Sequence, residues 1–488
     1  MDMRTSGGRT RRRGWRHATA AGLAGLGIGE LVAAAQGKSL IDDVGRAVVD
    51  WSPRSLVDLT VALLGSRDKM AIRGGVGAAA IGSVTGLARL PAKVRTPAVV
   101  GLAAATAGLA MRRPPRSTLA AVSAAAAGAV VSGTGLRRSL GGPRGEAALA
   151  LIGGGALATA RALLARQRRL HSGLIHAAVG RPLGDAPDDG FEARAGLSPV
   201  ITPVDQFYIT DVNMGAPLVD PEHWQLSITG LVGRPQRLSL ADLAADAEEF
   251  TAVMVCIHNP VGGTRVGNGR WLGVPLGTLL ERADPLARAS TLVARAVDGF
   301  TASLPLGPLR SGDWNGYVVI GLNGDTLTAD HGYPARVFVP GIYGQYTGAK
   351  WLSELELVAG PHSDYWSPRG WPHQPAWVQP HARIDVPVSG TTTDGGITVA
   401  GVAWAPPHGL AGVEVRADDG QWQAAELARE LSPLSWRRWQ ATLDLAPGTH
   451  SIQARAISRS GDAQESRDRP SFPIGASGWH TVAVRVSV

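Results

Sequence analysis

The apolar positions change their period partway along the chain. Residues 18–35 are almost continuously apolar, and four more Ala/Gly-rich apolar stretches follow at 72–90, 98–111, 119–136 and 147–164. A helix crosses a bilayer in about 20 apolar residues. Some of these stretches fall short of that, but their Gly and Ala content suits close helix packing. The links RLPAKVR, RRPPRS and RRSLGGPR between them are basic and rich in Pro and Gly, as inter-helix turns are. An amphipathic interfacial helix is predicted over 53–69. After Arg181 the chain turns polar and Pro/Gly-rich as far as QFY at 206–208, a linker pattern. From Trp224 short strand-like runs alternate with turn signals: WQLSITG, TAVMVC, YVVIGL, ARVFVPG and LSELELV. Only SLADLAADAEEF and PLGTLLERA read as helices, the first capped by Ser239. From about Val386 strands recur roughly every ten residues with turns between, the spacing of an immunoglobulin-like β-sandwich.

The predicted fold class is therefore multi-domain. Residues 1–170 form a helical transmembrane anchor of about five spans and 171–198 a linker. Residues 199–382 form an α+β domain and 383–488 an immunoglobulin-like β-sandwich.

Charge follows the same division. Residues 1–170 carry 25 Lys+Arg against 8 Asp+Glu, and residues 171–488 carry 23 against 32. The basic excess sits in short clusters between apolar stretches, not on an aromatic or amphipathic face. It therefore points to lipid head groups and away from nucleic acid. The Arg cluster before residue 18 has the layout of a signal anchor and resembles a twin-arginine export signal; a plain first span held by cytoplasmic arginines has the same pattern. His17, His171 and His176 lie at or beyond segment ends, and Glu30 is the acidic residue inside an apolar run. A simple anchor is expected, not a haem-bearing or transporting bundle.

Cys256 is the single cysteine, which excludes an intramolecular disulfide. It ends a strand-like run and enters the loop of MVCIHNPVGGTRVGNGRWLGVPLGTLL (254–280). A thiolate on such a loop reaches a soft metal, and Arg265 and Arg270 are placed to hold its charge or an anion. A buried structural cysteine has the same local pattern. His258, two residues on, has no Cys or His companions at zinc-like spacing. In NGDTLTADHGYPARVFVPGIYGQYTGAKWLSELELV (323–358), His331, Arg336 and Lys350 gather potential positive charge among glycines and prolines. That suits a phosphorylated ligand, although a solvated Arg and Lys beside a buried strand would read alike. The spacing is not that of a P-loop.

Together these stretches resemble the sulfite oxidase family of molybdopterin enzymes. The resemblance rests on the Cys loop with NPVGG and GNGRWLGVPL, on DGFTASLPL (298–306), and on NGDTL, DHGYPARVFVPGIYG and KWL. It covers about 199–360 closely. The later VAGVAWAPPHGLAGVEVRADDGQW and GWHTVAVRV resemble that family's dimerisation domain. The resemblance implies a molybdenum–molybdopterin cofactor with Cys256 as the protein's ligand to the metal. It implies that His331, Arg336 and Lys350 contact the pterin and its phosphate, and it implies a homodimer. Sulfite oxidases proper follow the cysteine with Gly-Asn-Arg; here the loop reads Cys256-Ile257-His258-Asn259-Pro260, with no arginine before Arg265. Arg265 is therefore the candidate for a catalytic cation. The substrate is expected to be a small molecule or oxyanion other than sulfite, an S- or N-oxide being one class. No haem-binding Cys-x-x-Cys-His motif occurs, so a separate cytochrome or quinone-linked partner is expected. The expected location is the cell membrane, with the catalytic part outside the cytoplasm. The non-catalytic alternative is a membrane-tethered sandwich protein with a degenerate molybdopterin fold.

Overall fold

The computed structural model describes residues 6–35, 39–52, 68–87, 89–110, 124–128, 143–179, 187–213, 215–393 and 396–487. They divide into two compact units.

The first unit is helical. Its main elements are Ser6–Ala35, Leu40–Trp51, Asp68–Leu87, Ala92–Ala110 and Pro143–Val179. Small residues bring the helices together: Ala20, Ala21 and Ala24 pack with Leu149, and a Cβ on Gly27 would collide with the backbone of Gly153. Three helical segments are long and apolar enough to cross a membrane: Arg16–Ala35, Lys69–Leu87 and Pro143–Arg166. The expected span at 98–111 falls in Ala92–Ala110, which contains Pro97 and is not among those three. Most of 119–136, and the interfacial helix expected at 53–69, lie outside the described residues. Glu30 has a local partner set. Its carboxylate accepts from Ser39 Oγ at 2.5 Å and Ile41 N at 3.1 Å, at the N-terminus of Leu40–Trp51. The unit also takes in Asp211–Leu218 and Val297–Gly299, where Lys69 Nζ donates to Asp211 at 2.8 Å.

The second unit holds the α+β region and the sandwich. One sheet orders β2 (Gln236–Leu238), β1 (Leu226–Gly230), β10 (Leu352–Val358), β5 (Thr291–Ala296) and β6 (Thr301–Pro305). In it β1 and β10 are parallel and the other pairs antiparallel. The second sheet orders β3 (Glu248–Val255), β4 (Val266–Pro275), β7 (Tyr317–Leu322) and β8 (Asp325–Thr326), with β9 (Arg336–Phe338) also on β7. Trp271 and Phe338 are fully buried between elements of this sheet, with ring centroids 5.0 Å apart.

Two expectations are corrected here. The predicted helix SLADLAADAEEF stops at Asp246. Ser239 and Asp242 do form its capping box, but Glu248–Val255 pairs with β4 over eight residues, and that ladder outweighs helix propensity. The linker pattern also ends early. The helix Pro143–Val179 runs past residue 170, and the polar stretch beyond it is pinned. Asp189, 2 % exposed, binds Arg438 Nε at 2.7 Å, and Thr202 exchanges hydrogen bonds with Asn268 on β4.

The C-terminal part has two sheets. One orders β11 (His381–Val386), β13 (Ile397–Trp404), β17 (Arg437–Leu443) and β16 (Glu426–Leu427). The other orders β12 (Thr391–Thr393), β19 (His480–Val486), β18 (Gly448–Ser458), β14 (Leu410–Ala417) and β15 (Gln423–Ala424). Alternate residues of both close on one core, with Val399, Val415, Trp439, Ile452 and Val484 at or below 1 % exposure.

Candidate active site

Cys256 stands where β3 ends and its loop begins. Its amide donates to Arg265 O at 3.0 Å and its carbonyl accepts from Asn259 N at 2.9 Å, so the loop closes on itself. Asn259, buried, braces the turn by accepting Arg265 N on Oδ1 at 2.8 Å. Gly262 has a φ of 70°, and a Cβ there would strike the His480 ring, so only glycine fits. The Cys256 sulfur is buried, and burial pushes its thiol pKa up. The His258 amide, the Thr210 hydroxyl and the Arg265 charge pull the other way. Arg265 Nη1 donates to His258 O at 3.2 Å, which keeps the guanidinium on the loop. Arg270 instead points to Glu249, at 3.4 Å. The His258 ring packs edge-on against Trp371 at 5.5 Å.

The second constellation folds against the same strand end. The Gly344–Thr347 turn approaches it closely: an ideal Cβ on Gly344 would lie 3.3 Å from Tyr208 Oη and 3.6 Å from Val255 O. Burial raises the Tyr208 pKa, and the hydroxyl lies within electrostatic reach of both Cys256 and Arg336. His331 sits in a short 3-10 turn capped by Thr328. Burial, then the Arg336 charge, pull its pKa down to about 4, so the ring is neutral at pH 7. Nε2 then donates to Phe207 O at 3.3 Å and Nδ1 accepts from Thr328 Oγ1 at 2.7 Å. His331 therefore brings no cation to the site, contrary to the sequence expectation. Arg336 does: it is 6 % exposed, burial lowers its pKa only to about 10, and Nη1 donates to His331 O at 3.2 Å. Lys350, 5 % exposed, donates to Asp330 O at 2.8 Å and lies 4.7 Å from the Trp351 ring centre.

Several buried polar atoms here have no partner among the described residues: Arg336 Nε, both amide atoms of Gln345, Tyr346 Oη, Thr347 Oγ1 and Tyr333 Oη. Buried polar groups are almost always hydrogen-bonded, so five such residues within 333–347 mark the footprint of a polar ligand. The sequence reading passed over Gln345, Tyr346 and Thr347, although they are the polar triplet between Gly344 and Gly348. It also passed over Tyr208 and Thr210, which lie at the end of the supposed linker and show no periodicity of their own.

Comparison with known proteins bears on this arrangement. Residues 213–366 match the family model described as the oxidoreductase molybdopterin binding domain. The chain is 25 % identical to sulfite oxidase of Arabidopsis thaliana over 355 residues, covering 59 % of this chain and 89 % of that protein. It is 25 % identical to sulfite oxidase of Gallus gallus, covering 62 % and 75 %. The NADH nitrate reductase 1 of Arabidopsis thaliana is 24 % identical over 298 residues, covering 48 % of this chain and 31 % of that one. Among solved structures, the sulfane dehydrogenase SoxCD from Paracoccus pantotrophus shares the fold, with a TM-score of 0.52 at 23 % identity, covering 60 % of this chain and 85 % of that one. The residues present suit a molybdenum–molybdopterin group: a thiolate is a soft donor, and buried cations with unpaired neutral donors match a phosphorylated pterin. Residues 213–366 are thus an oxidoreductase molybdopterin binding domain similar to that of the sulfite oxidases, and the cofactor this implies is the molybdenum–molybdopterin group.

Proposed function

We propose that this enzyme carries out two-electron, oxygen-atom-transfer chemistry on a small neutral or singly charged substrate, with Cys256 as the protein's ligand to the metal. The observation that carries the reading is the set of unpaired buried polar atoms on 333–347 beside the end of the Cys256 strand. Bound there, the molybdenum–pterin group supplies the redox chemistry. The chain's own residues do the rest. Arg336 and Lys350 neutralise the pterin phosphate, while neutral His331 orients the segment through Phe207 and Thr328. Gln345, Tyr346 and Thr347 would supply donors and acceptors to the group's polar atoms. Burial raises the Cys256 thiol pKa, and the His258 amide, the Thr210 hydroxyl and the Arg265 charge partly offset it in favour of the thiolate needed for ligation. Arg265 is also the cation offered to an anionic substrate.

Purified protein should contain about one molybdenum and one pterin per chain. Cys256→Ser should abolish activity while the fold stays intact, because a neutral serine hydroxyl does not replace the electron-rich thiolate donor that the metal's reactivity depends on. Arg336→Ala and Lys350→Ala should each lower pterin content, since a charge-assisted hydrogen bond contributes about 1.5–3 kcal/mol. Full activity in Cys256→Ser would overturn the assignment.

The apolar helices and the basic excess of residues 1–170 support a multi-pass location in the cell membrane, in contact with lipid, with residues 185–488 outside the cytoplasm. Electrons then pass to or from a separate cytochrome or quinone-linked protein, and the sandwich is the candidate surface for a homodimer. Protease added to intact cells should cut the catalytic part; protection until lysis would reverse the orientation.

A further inference from the structure

The sandwich reaches into the Cys256 loop at several points. On β11, His381 Nε2 accepts from Gly262 N at 3.3 Å. Arg383 Nη1 donates to Gly263 O at 3.0 Å. These are adjacent residues of the turn between Cys256 and Arg265. Both side chains are buried, His381 at 6 % and Arg383 at 7 % exposure. Each of the other Arg383 nitrogens is committed too: Nε donates to Asp385 Oδ1 and Nη2 to Ser198 Oγ, both at 2.7 Å. His480, from β19, fills the space that a side chain at 262 would need and is itself fixed by accepting from Ile384 N at 2.9 Å. Gln464 backs the His381 ring at 3.3 Å and holds the Ala382 and Ala456 amides.

The strands on either side of the loop are held from the same direction. Val253 N, on β3, donates to Leu434 O at 2.8 Å. Asn268, on β4, donates through Nδ2 to Ser435 Oγ at 2.8 Å and accepts Trp436 N at 3.3 Å. A half-buried turn with adjacent glycines at 262 and 263 would otherwise be a loose mount for a metal ligand. A buried guanidinium is also costly unless its donors are used; here Nη1 fixes that turn, while Asp385 and Ser198 take the other two nitrogens and hold the group in place.

We propose that His381 and Arg383 are positioning residues for the cofactor loop: through Gly262 and Gly263 they hold Cys256 and Arg265 in place, so that the sandwich completes the active site as well as adjoining it. The proposal rests on the reading of Cys256 as the metal ligand. A ligand's supporting shell commonly sets its geometry and affinity.

Because Cys256 is the single cysteine, its alkylation by iodoacetamide reports the loop directly. The measurement is made on the full chain, produced with and without molybdate. In the metal-free protein, His381→Ala and Arg383→Ala should raise the alkylation rate about tenfold, the effect of losing a hydrogen bond that keeps a loop closed. His381→Gln, whose amide oxygen can take the Gly262 N–H, should stay near the parental rate. So should His450→Ala, a change elsewhere on the sandwich. In the loaded enzyme the same two Ala variants should shift the thiolate-to-metal absorption band. Should Arg383→Ala fail to fold, Arg383→Lys keeps a cation and one donor and should give an intermediate rate. A parental alkylation rate in folded His381→Ala and Arg383 variants overturns the proposal, as does an equal rise in His381→Gln and His381→Ala. Absence of metal from the parent protein would instead overturn the functional reading and leave the alkylation result standing.

Discussion

His331, His381 and His480 share one fate. Each is pushed below its ordinary pKa mainly by burial, His331 to about 4 and His381 to about 3. The unfolded chain therefore binds more protons than the folded one between these values and about 6.5, and stability must rise with pH across that window. The contribution is fully present above about 6.5 and is lost as pH falls toward the folded values, at about 1.4 kcal/mol per pH unit for each group. The urea midpoint should accordingly fall between pH 7.5 and pH 5.5, a range that spares most carboxylates. His381→Gln should flatten that slope; an unchanged midpoint in the parent would contradict the assignment of neutral rings.

At the scale of elements, the loop from Cys256 to Arg265 decides what the enzyme can accept. Sulfite needs fixed positive charge beside the reacting centre to bind and orient it. At position 259 this loop has a buried asparagine occupied in bracing Arg265 N, and Arg265 is the loop's remaining cation. Sulfite kcat/KM should therefore fall below the ordinary range of about 10⁴–10⁸ M⁻¹s⁻¹, with S- or N-oxide reduction the better activity. If sulfite does turn over in that range, the substrate reading fails, and Arg265→Ala should then raise KM sharply. The loop stood out in the sequence because cysteine, glycine and arginine carry meaning at short spacing. The strand Glu248–Val255 was half hidden behind a strong helix start at Ser239, since its pairing with β4 is a long-range contact that no local propensity reports. Tyr208 and Thr210 were hidden for a related reason: a residue brought beside Cys256 only by the folding of distant segments looks like a linker in isolation. His331 was seen as a potential cation; burial, which spacing does not report, lowers its pKa and leaves the ring neutral.

Across the whole molecule, the contacts divide the chain into a helical unit, Met1–Leu174 with Asp211–Leu218 and Val297–Gly299, and a second unit that holds the sheets. The boundary was placed less well. The last long helix extends to Val179, and Asp189 is already locked to Arg438 of the sandwich sheet.

The unpaired atoms of Arg336, Tyr333, Gln345, Tyr346 and Thr347 also bear on the protein's life in the cell. A chain that folds before its cofactor arrives carries this unsatisfied cluster, at about 1–3 kcal/mol for each buried group left without a partner. The cofactor binds the folded state and so deepens its stability by mass action. Metal supply then acts as a quality control on abundance: starved cells should degrade the polypeptide instead of storing it inactive. Immunoblots from molybdate-depleted and molybdate-replete cultures, with transcript levels matched, should show several-fold less protein in the depleted culture. Equal amounts would mean that the apo-chain tolerates those bare donors.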